Sequence, residues 1–212
     1  GNTVLYSSAR NEYMITRIKR MMKRTVWALA KQLEKGDFVP SGYEVSFGKG
    51  KIDRIDIYET DEKVYVKVID YKTGTKTFSL ASLYHGLQLQ LAMYMNMAVE
   101  LERRKQPEKK VVPAGLFYYQ MKDPIIDKVE DDKWEETVLS KLRLDGIVNA
   151  DEEVIDHLDK KFTGNSLAIP VGKNKNGSLS KTSKAFSEAD FSVISKYVDK
   201  EVKEIEGRMQ DG

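Results

Sequence analysis

The sequence predicts an α/β fold, a mixed β-sheet flanked by helices, and three observations carry that prediction. Apolar residues recur at three- and four-residue steps in two long stretches, 8–35 and 80–104. Between them lie three short strand-like segments separated by turn-forming clusters. After the second stretch, residues 111–120 (Val-Val-Pro-Ala-Gly-Leu-Phe-Tyr-Tyr-Gln) are apolar enough for a central strand. Helix, three-strand meander, helix, strand is the order of a sheet with helices packed on it.

In residues 8–35 the apolar line is Met14, Ile18, Met21, Met22, Thr25, Val26, Leu29 and Leu33, with Arg17, Arg20, Lys23 and Arg24 largely off it. Gly36-Asp37 and Pro40-Ser41-Gly42 end this helix. Residues 43–47 form a first strand, Gly48-Lys49-Gly50 a tight turn, and 51–58 a second strand. Thr60-Asp61-Glu62-Lys63 turns the chain into a third strand, 64–71. Thr73-Gly74-Thr75-Lys76 breaks the pattern, and the helix 80–104 is stopped by Lys105-Gln106-Pro107. In the fourth strand Pro113 sits near the start, where a missing N–H is tolerated. Beyond Met121 acidic residues dominate to Glu136, a short helix follows, and 172–184 is a Gly/Asn/Ser/Lys loop expected to be mobile. Ser187-Glu188-Ala189-Asp190 opens a last helix to about 209, with Phe191, Ile194, Val198, Val202 and Ile205 as its buried side.

With 212 residues, 41% hydrophobic and 32% charged, the chain can bury one substantial core. No apolar run approaches the roughly 20 residues of a membrane helix, and no signal-peptide pattern opens the sequence. The absence of cysteine excludes disulfides and thiolate metal sites. A reducing, cytoplasmic setting is the expectation. Net charge is only +2, but it is unevenly spread. Residues 9–35 carry eight Lys/Arg against two acids, 173–184 carry four Lys and no acid, and 123–136 hold seven acids against two Lys. Such runs are solvated faces unless their position makes them a phosphate track.

Chemistry concentrates at two strand ends. Gly50-Lys51-Ile52-Asp53 places an acid in the second strand, and Ile69-Asp70-Tyr71-Lys72 closes the third with an Asp-x-Lys. Alternate strand residues share a face, so Val64, Val66 and Val68 lie with Asp70 and Lys72, and Ile55 and Ile57 lie with Asp53. An apolar stripe that ends in charge reads as a core face emerging at an active-site edge. Arg54, Asp56 and Tyr58 point the other way, and Asp56 is expected to be a solvated or ion-paired residue, not a ligand. Two carboxylates and an amine can hold a divalent metal beside a phosphodiester, and oxygen ligands favour Mg²⁺ or Mn²⁺ over zinc. Gln90 and Tyr94, four apart on one helix face, are positioned to support that group. Glu44, on the preceding strand, is a further candidate for the supporting shell, with a salt bridge as its alternative.

Gly-x-x-Asp, Asp-Tyr-Lys and Gln-x-x-x-Tyr in this order resemble the PD-(D/E)xK nuclease superfamily, in its RecB-like branch. The wider wording is similar to the C-terminal nuclease domains of the AddB proteins of AddAB-type helicase–nucleases. It covers Ser7-Ser8-Ala9-Arg10, Gly42 to Gly48, Gly50-Lys51-Ile52-Asp53-Arg54-Ile55-Asp56, Ile69 to Gly74, Gly86-Leu87-Gln88-Leu89-Gln90-Leu91 and Lys141 to Ile147, nearly the whole chain. The resemblance implies a nuclease-like mixed sheet and a Mg²⁺- or Mn²⁺-dependent deoxyribonuclease. Its DNA would be a single strand fed from a duplex end by a partner helicase of AddA type, during recombinational repair. By the same match Asp53 and Asp70 are metal ligands, Tyr71 offers its carbonyl to the metal, Lys72 is the catalytic lysine, and Gln90 and Tyr94 support them.

In that family a preceding helix brings a metal-ligating His, whereas this chain has only His85 and His157, neither placed there. Family members also carry an iron–sulfur cluster on four cysteines, which this cysteine-free chain cannot hold. The connection Gly48-Lys49-Gly50 is shorter than usual. The expectation is one nuclease domain over 1–212, cut from a longer protein: an N-terminal helix (1–40), a catalytic core (41–122) and a helical and loop extension (123–212). The competing expectation is a nuclease-like module that binds DNA or a partner and cuts nothing.

Overall fold

A computed structural model describes residues 2–48, 50–73 and 89–211. Its first helix, α1 (Asn2–Lys35), leads into β1 (Val39–Phe47), β2 (Gly50–Glu59) and β3 (Lys63–Thr73). Helix α2 (Leu89–Lys105) and strand β4 (Lys110–Met121) follow. The helix stops short of Pro107, with Arg103, Arg104 and Lys105 on its negative dipole end. The expected residues 80–88 of that helix, His85 included, lie outside the described residues. A 3-10 turn (Asp131–Lys133), α3 (Trp134–Leu142), β5 (Asp145–Asn149), α4 (Glu152–Leu158), β6 (Ala185–Phe186) and α5 (Glu188–Gln210) complete the chain. Ser187 and Asp190 form a reciprocal capping box at the start of α5.

The sheet is mixed and its strands lie in chain order, β1-β2-β3-β4-β5-β6. The β3–β4 and β5–β6 pairs are parallel and the others antiparallel. The meander is therefore as expected, and β5 and β6 continue the same sheet. Leu91, Tyr94, Met95 and Ala98 of α2 and Phe191 of α5 cover one face, against Ile55, Val64, Val66 and Val68. On the other face Ala28 of α1, Leu139 and Leu142 of α3 and Ile155 of α4 pack against Tyr65, Ile69, Phe117 and Tyr119. Covered on both sides, β3 is buried from Val64 through Asp70. At β5 the chain passes so close to β4 that only glycine fits: Gly146 has φ +145° and the space for its missing Cβ is filled by the Leu116 carbonyl.

Two helix faces depart from the periodicity. In α1, Thr25, Ala28 and Gln32 are buried, while Met14, Ile18, Met22 and Val26 are 47–68% exposed. Only the C-terminal half of α1 meets the sheet, and the neighbours it finds select the face. In α5, Phe191 and Val198 are buried as expected but Ile205 is 49% exposed. The segment expected to be a mobile loop is bonded through bridges Asn165–Gly172 and Lys173–Leu179 and through Ser183, whose Oγ accepts from Gly172 N and donates to Gly172 O. The acidic and basic runs meet each other: Arg20 and Arg24 reach Asp123 at 3.1 and 3.7 Å, and Lys31 reaches Glu135 at 3.4 Å.

Asp56 takes the ion-paired one of its two expected roles, and it is fully buried between Arg54 Nη2 at 2.9 Å and Lys67 Nζ at 3.1 Å. Burial pulls the Lys67 amine below its usual range while Asp56 pulls it back. Asp56→Ala strands two cations in the core, so we expect a loss of about 3–5 kcal/mol in urea unfolding. A silent variant would show that water reaches the cluster.

Candidate active site

Registered pairing between β2 and β3 ends at Arg54↔Ile69. Beyond it β2 stays with β1 down to Gly50, while β3 stays with β4 through Thr73. The sheet thus splits where the sequence places its acids. In the split the Asp53 carboxylate replaces a ladder partner: its Oδ2 accepts from the Tyr71 N–H at 2.8 Å. Asp70, 6% exposed, shares a hydrogen bond with the Asp53 carboxyl and receives Lys72 Nζ on its Oδ2 at 2.7 Å. Asp53, Asp70 and Lys72 converge, as the strand parity requires.

Helix α2 closes the split from the Val64–Val68 face. Gln90 Nε2 donates to the Tyr94 hydroxyl at 2.8 Å, and the backbone of Lys51 also hydrogen-bonds that hydroxyl. Tyr94 is anchored edge-on against Phe47 with ring centroids 5.6 Å apart. Burial, with Asp70 next in weight, holds the Tyr94 phenol above its usual range, so it keeps its proton near the acids. Glu44 is placed elsewhere: on the outer strand, at φ +49° and with its side chain 75% exposed, it pairs with Lys51 Nζ at 3.2 Å.

Sequence reasoning missed Tyr118. It is the parallel-ladder partner of Asp70, 4% exposed, with Lys72 Nζ 5.8 Å from its ring centroid. Burial, and then the charge of Asp70, push its phenol up to about 12. The alternation of residues 111–121 gives its face, but only the β3–β4 register puts it beside Asp70. Gln120 Nε2 donates to the Lys72 carbonyl at 3.3 Å and steadies the same strand end.

The donor set suits a divalent cation. Burial first, and the Asp53 hydrogen bond second, push Asp70 up to about 6 against the pull of Lys72. Two close carboxylates are a pair that a hard cation relieves, and oxygen donors match Mg²⁺ or Mn²⁺. Among the described residues no third His, Cys, Asp or Glu joins them. The raised pKa of Asp70 has a consequence whose sign can be measured. Between pH ~3.8 and ~6 the folded chain keeps a proton on Asp70 that the unfolded chain releases, so metal-free stability falls as pH rises. Asp70→Asn should be more stable than wild type by on the order of 2 kcal/mol at pH 7, with the gap closing near pH 4. Thermal melts in chelator at both pH values check this, and a constant gap would contradict it.

The profile of the PD-(D/E)XK nuclease superfamily matches residues 3–210. This chain belongs to that superfamily. It is also 40% identical over 215 residues to the B-type subunit of the ATP-dependent helicase/deoxyribonuclease of Lachnoclostridium phytofermentans, covering 93% of this chain and 19% of the relative. The proteins of the same name from Thermoanaerobacter sp. and Clostridioides difficile are each 34% identical, over 99% of this chain and 20% of their own length. The chain therefore spans about a fifth of the curated relatives it matches. For a PD-(D/E)XK nuclease, a sheet with an acid on one strand and Asp-x-Lys on the next is the expected frame. Among the described residues no helix is long and apolar enough to cross a membrane.

Proposed function

We propose that this chain is the nuclease domain of a bacterial helicase–nuclease and that it hydrolyses DNA phosphodiester bonds with Mg²⁺ or Mn²⁺. The observation that carries the reading is the convergence of Asp53, Asp70 and Lys72 in the split between β2 and β3. Asp53 and Asp70 would hold the ion, with the Tyr71 carbonyl as a further donor. A divalent ion there supplies Lewis acidity at the phosphoryl oxygen and makes a bound water more acidic. Lys72, beside Asp70 in the split, would present its ammonium to the attacking water and to charge building on the phosphate. Tyr94 and Gln90 keep the water-facing side of the pair in order, and Tyr118 supports Lys72 from beneath.

The names of the relatives support a wider setting. A helicase partner of AddA type feeds single strands from a broken duplex end to this domain, in the cytoplasm, during recombinational repair. A second reading is a nuclease-like module that binds DNA or a partner without cutting. The two-carboxylate donor set among the described residues favours it. Incubating the 212-residue chain with labelled single-stranded DNA in Mg²⁺, Mn²⁺ or chelator separates the two. Metal-dependent shortening supports hydrolysis; retention of intact DNA at saturating metal supports the binding module.

A further inference from the structure

Asp53 and Asp70 lie one step beyond the last registered pair, Arg54↔Ile69, so the ladder itself does not set their separation. Two side-chain bonds span the gap instead, and both end on Tyr71. On the α2 face Asp53 Oδ2 accepts from the Tyr71 N–H at 2.8 Å. On the opposite face the Tyr71 hydroxyl accepts from Arg54 Nη1 at 3.3 Å. Arg54 is held through Nη2 by Asp56 at 2.9 Å, and Asp56 is held by Lys67 at 3.1 Å. All three are buried, at 2%, 0% and 5% exposure for Arg54, Asp56 and Lys67.

As a source of stability this cluster is poor. Two cations share one carboxylate, and Arg54 Nε and Asp56 Oδ1 have no hydrogen-bond partner. Buried ion groups of this kind are often matched or bettered by apolar replacements. Its directionality is better explained by aim. Arg54 follows Asp53 in β2 and Tyr71 follows Asp70 in β3, so a bond from Arg54 to the Tyr71 hydroxyl locks the two acid-bearing residues together from behind.

We propose that Arg54, Asp56 and Lys67 form a brace that fixes the separation of Asp53 and Asp70 through the Tyr71 hydroxyl. Arg54 and the Tyr71 side chain are positioning residues; the reacting groups lie on the other face. The purpose of the brace rests on the metal reading of Asp53 and Asp70, but its existence is measurable without metal.

Tyr71→Phe removes only the hydroxyl and leaves the buried charges paired, so it is the primary variant; Arg54→Met and the double variant complete a cycle. In the metal-free 212-residue chain, Tyr71→Phe should speed hydrogen exchange at the residue 71 amide about tenfold, the scale of one lost buried hydrogen bond. The other β3 amides should change less, and the melting temperature should fall by no more than a few degrees. With Mn²⁺ as the probe, its Kd should rise by a similar factor, and saturating Mn²⁺ should restore the wild-type cleavage rate. The double variant should be no worse than the worse single one, because both act through one bond. Unchanged exchange in Tyr71→Phe, or additive effects in the cycle, would overturn the brace. If Arg54→Met does not fold, the Tyr71→Phe exchange result decides alone. A wild-type chain that binds no Mn²⁺ overturns the metal reading and the purpose of the brace, while exchange still judges the bond itself.

Discussion

Asp70→Asn should fold and slow DNA cleavage by about 1,000-fold or more, while Lys72→Met should slow it by about 100- to 1,000-fold for a different reason. Asparagine keeps the shape of Asp70 but not its charge, and Mg²⁺ exchanges water reluctantly for a neutral oxygen. Lys72 donates to Asp70 at 2.7 Å, so its loss removes charge stabilisation without removing a ligand. Calorimetric titration with Mn²⁺ tells the two apart: binding is lost in Asp70→Asn and kept, or tightened, in Lys72→Met. Tightening follows because the ammonium no longer competes with the cation for the carboxylate. A Lys72→Met chain that cuts at the wild-type rate removes lysine from the mechanism. A loss of Mn²⁺ binding in Lys72→Met would recast the lysine as a support for the ligand.

Gly146→Ala should give the largest structural loss, about 4 kcal/mol or more, and little soluble protein. A side chain there meets two obstacles at once. The backbone φ of +145° is one that residues with a Cβ rarely adopt, and the added carbon falls on the Leu116 carbonyl and within 3.0 Å of the Phe117 Cα. Neither neighbour can yield, since Leu116 and Phe117 are buried in β4 at 2% and 0% exposure. Urea midpoints and near-ultraviolet circular dichroism report the outcome. A well-folded alanine variant would mean that β5 is not seated on β4 in this register.

The site was legible in the sequence where its physics is local. Strand parity put Asp53 with Ile55 and Ile57, and Asp70 with Val64, Val66 and Val68, and these are the residues facing α2. What escaped depends on partners far along the chain. Tyr118 reads as one aromatic in an apolar strand until a parallel register sets it against Asp70. Asp56 and Lys67 carry charges that usually mark a surface, and only pairing across β2 and β3 makes their burial tolerable. In α1 the periodicity gave one apolar line running through Met14, Ile18, Met22 and Val26, and contact with the sheet buried instead the face bearing Thr25, Ala28 and Gln32. Strand β5 has only five residues and begins Asp145-Gly146, a composition that locally resembles a turn.

The split in the sheet also gives the two acids unequal footing. Asp53 rides on an outer ribbon, β1 and β2, whose far edge has no further strand among the described residues. Asp70 rides on β3, wedged between β2 and β4 under helices on both faces. A cation gripped by both would act as a clasp between an outer ribbon and a slab covered on both faces. Its arrival should quiet the ribbon, and a chelator should set it loose again. Val39 and Tyr43, 58% and 62% exposed along that edge, then become remote reporters of whether the clasp is shut.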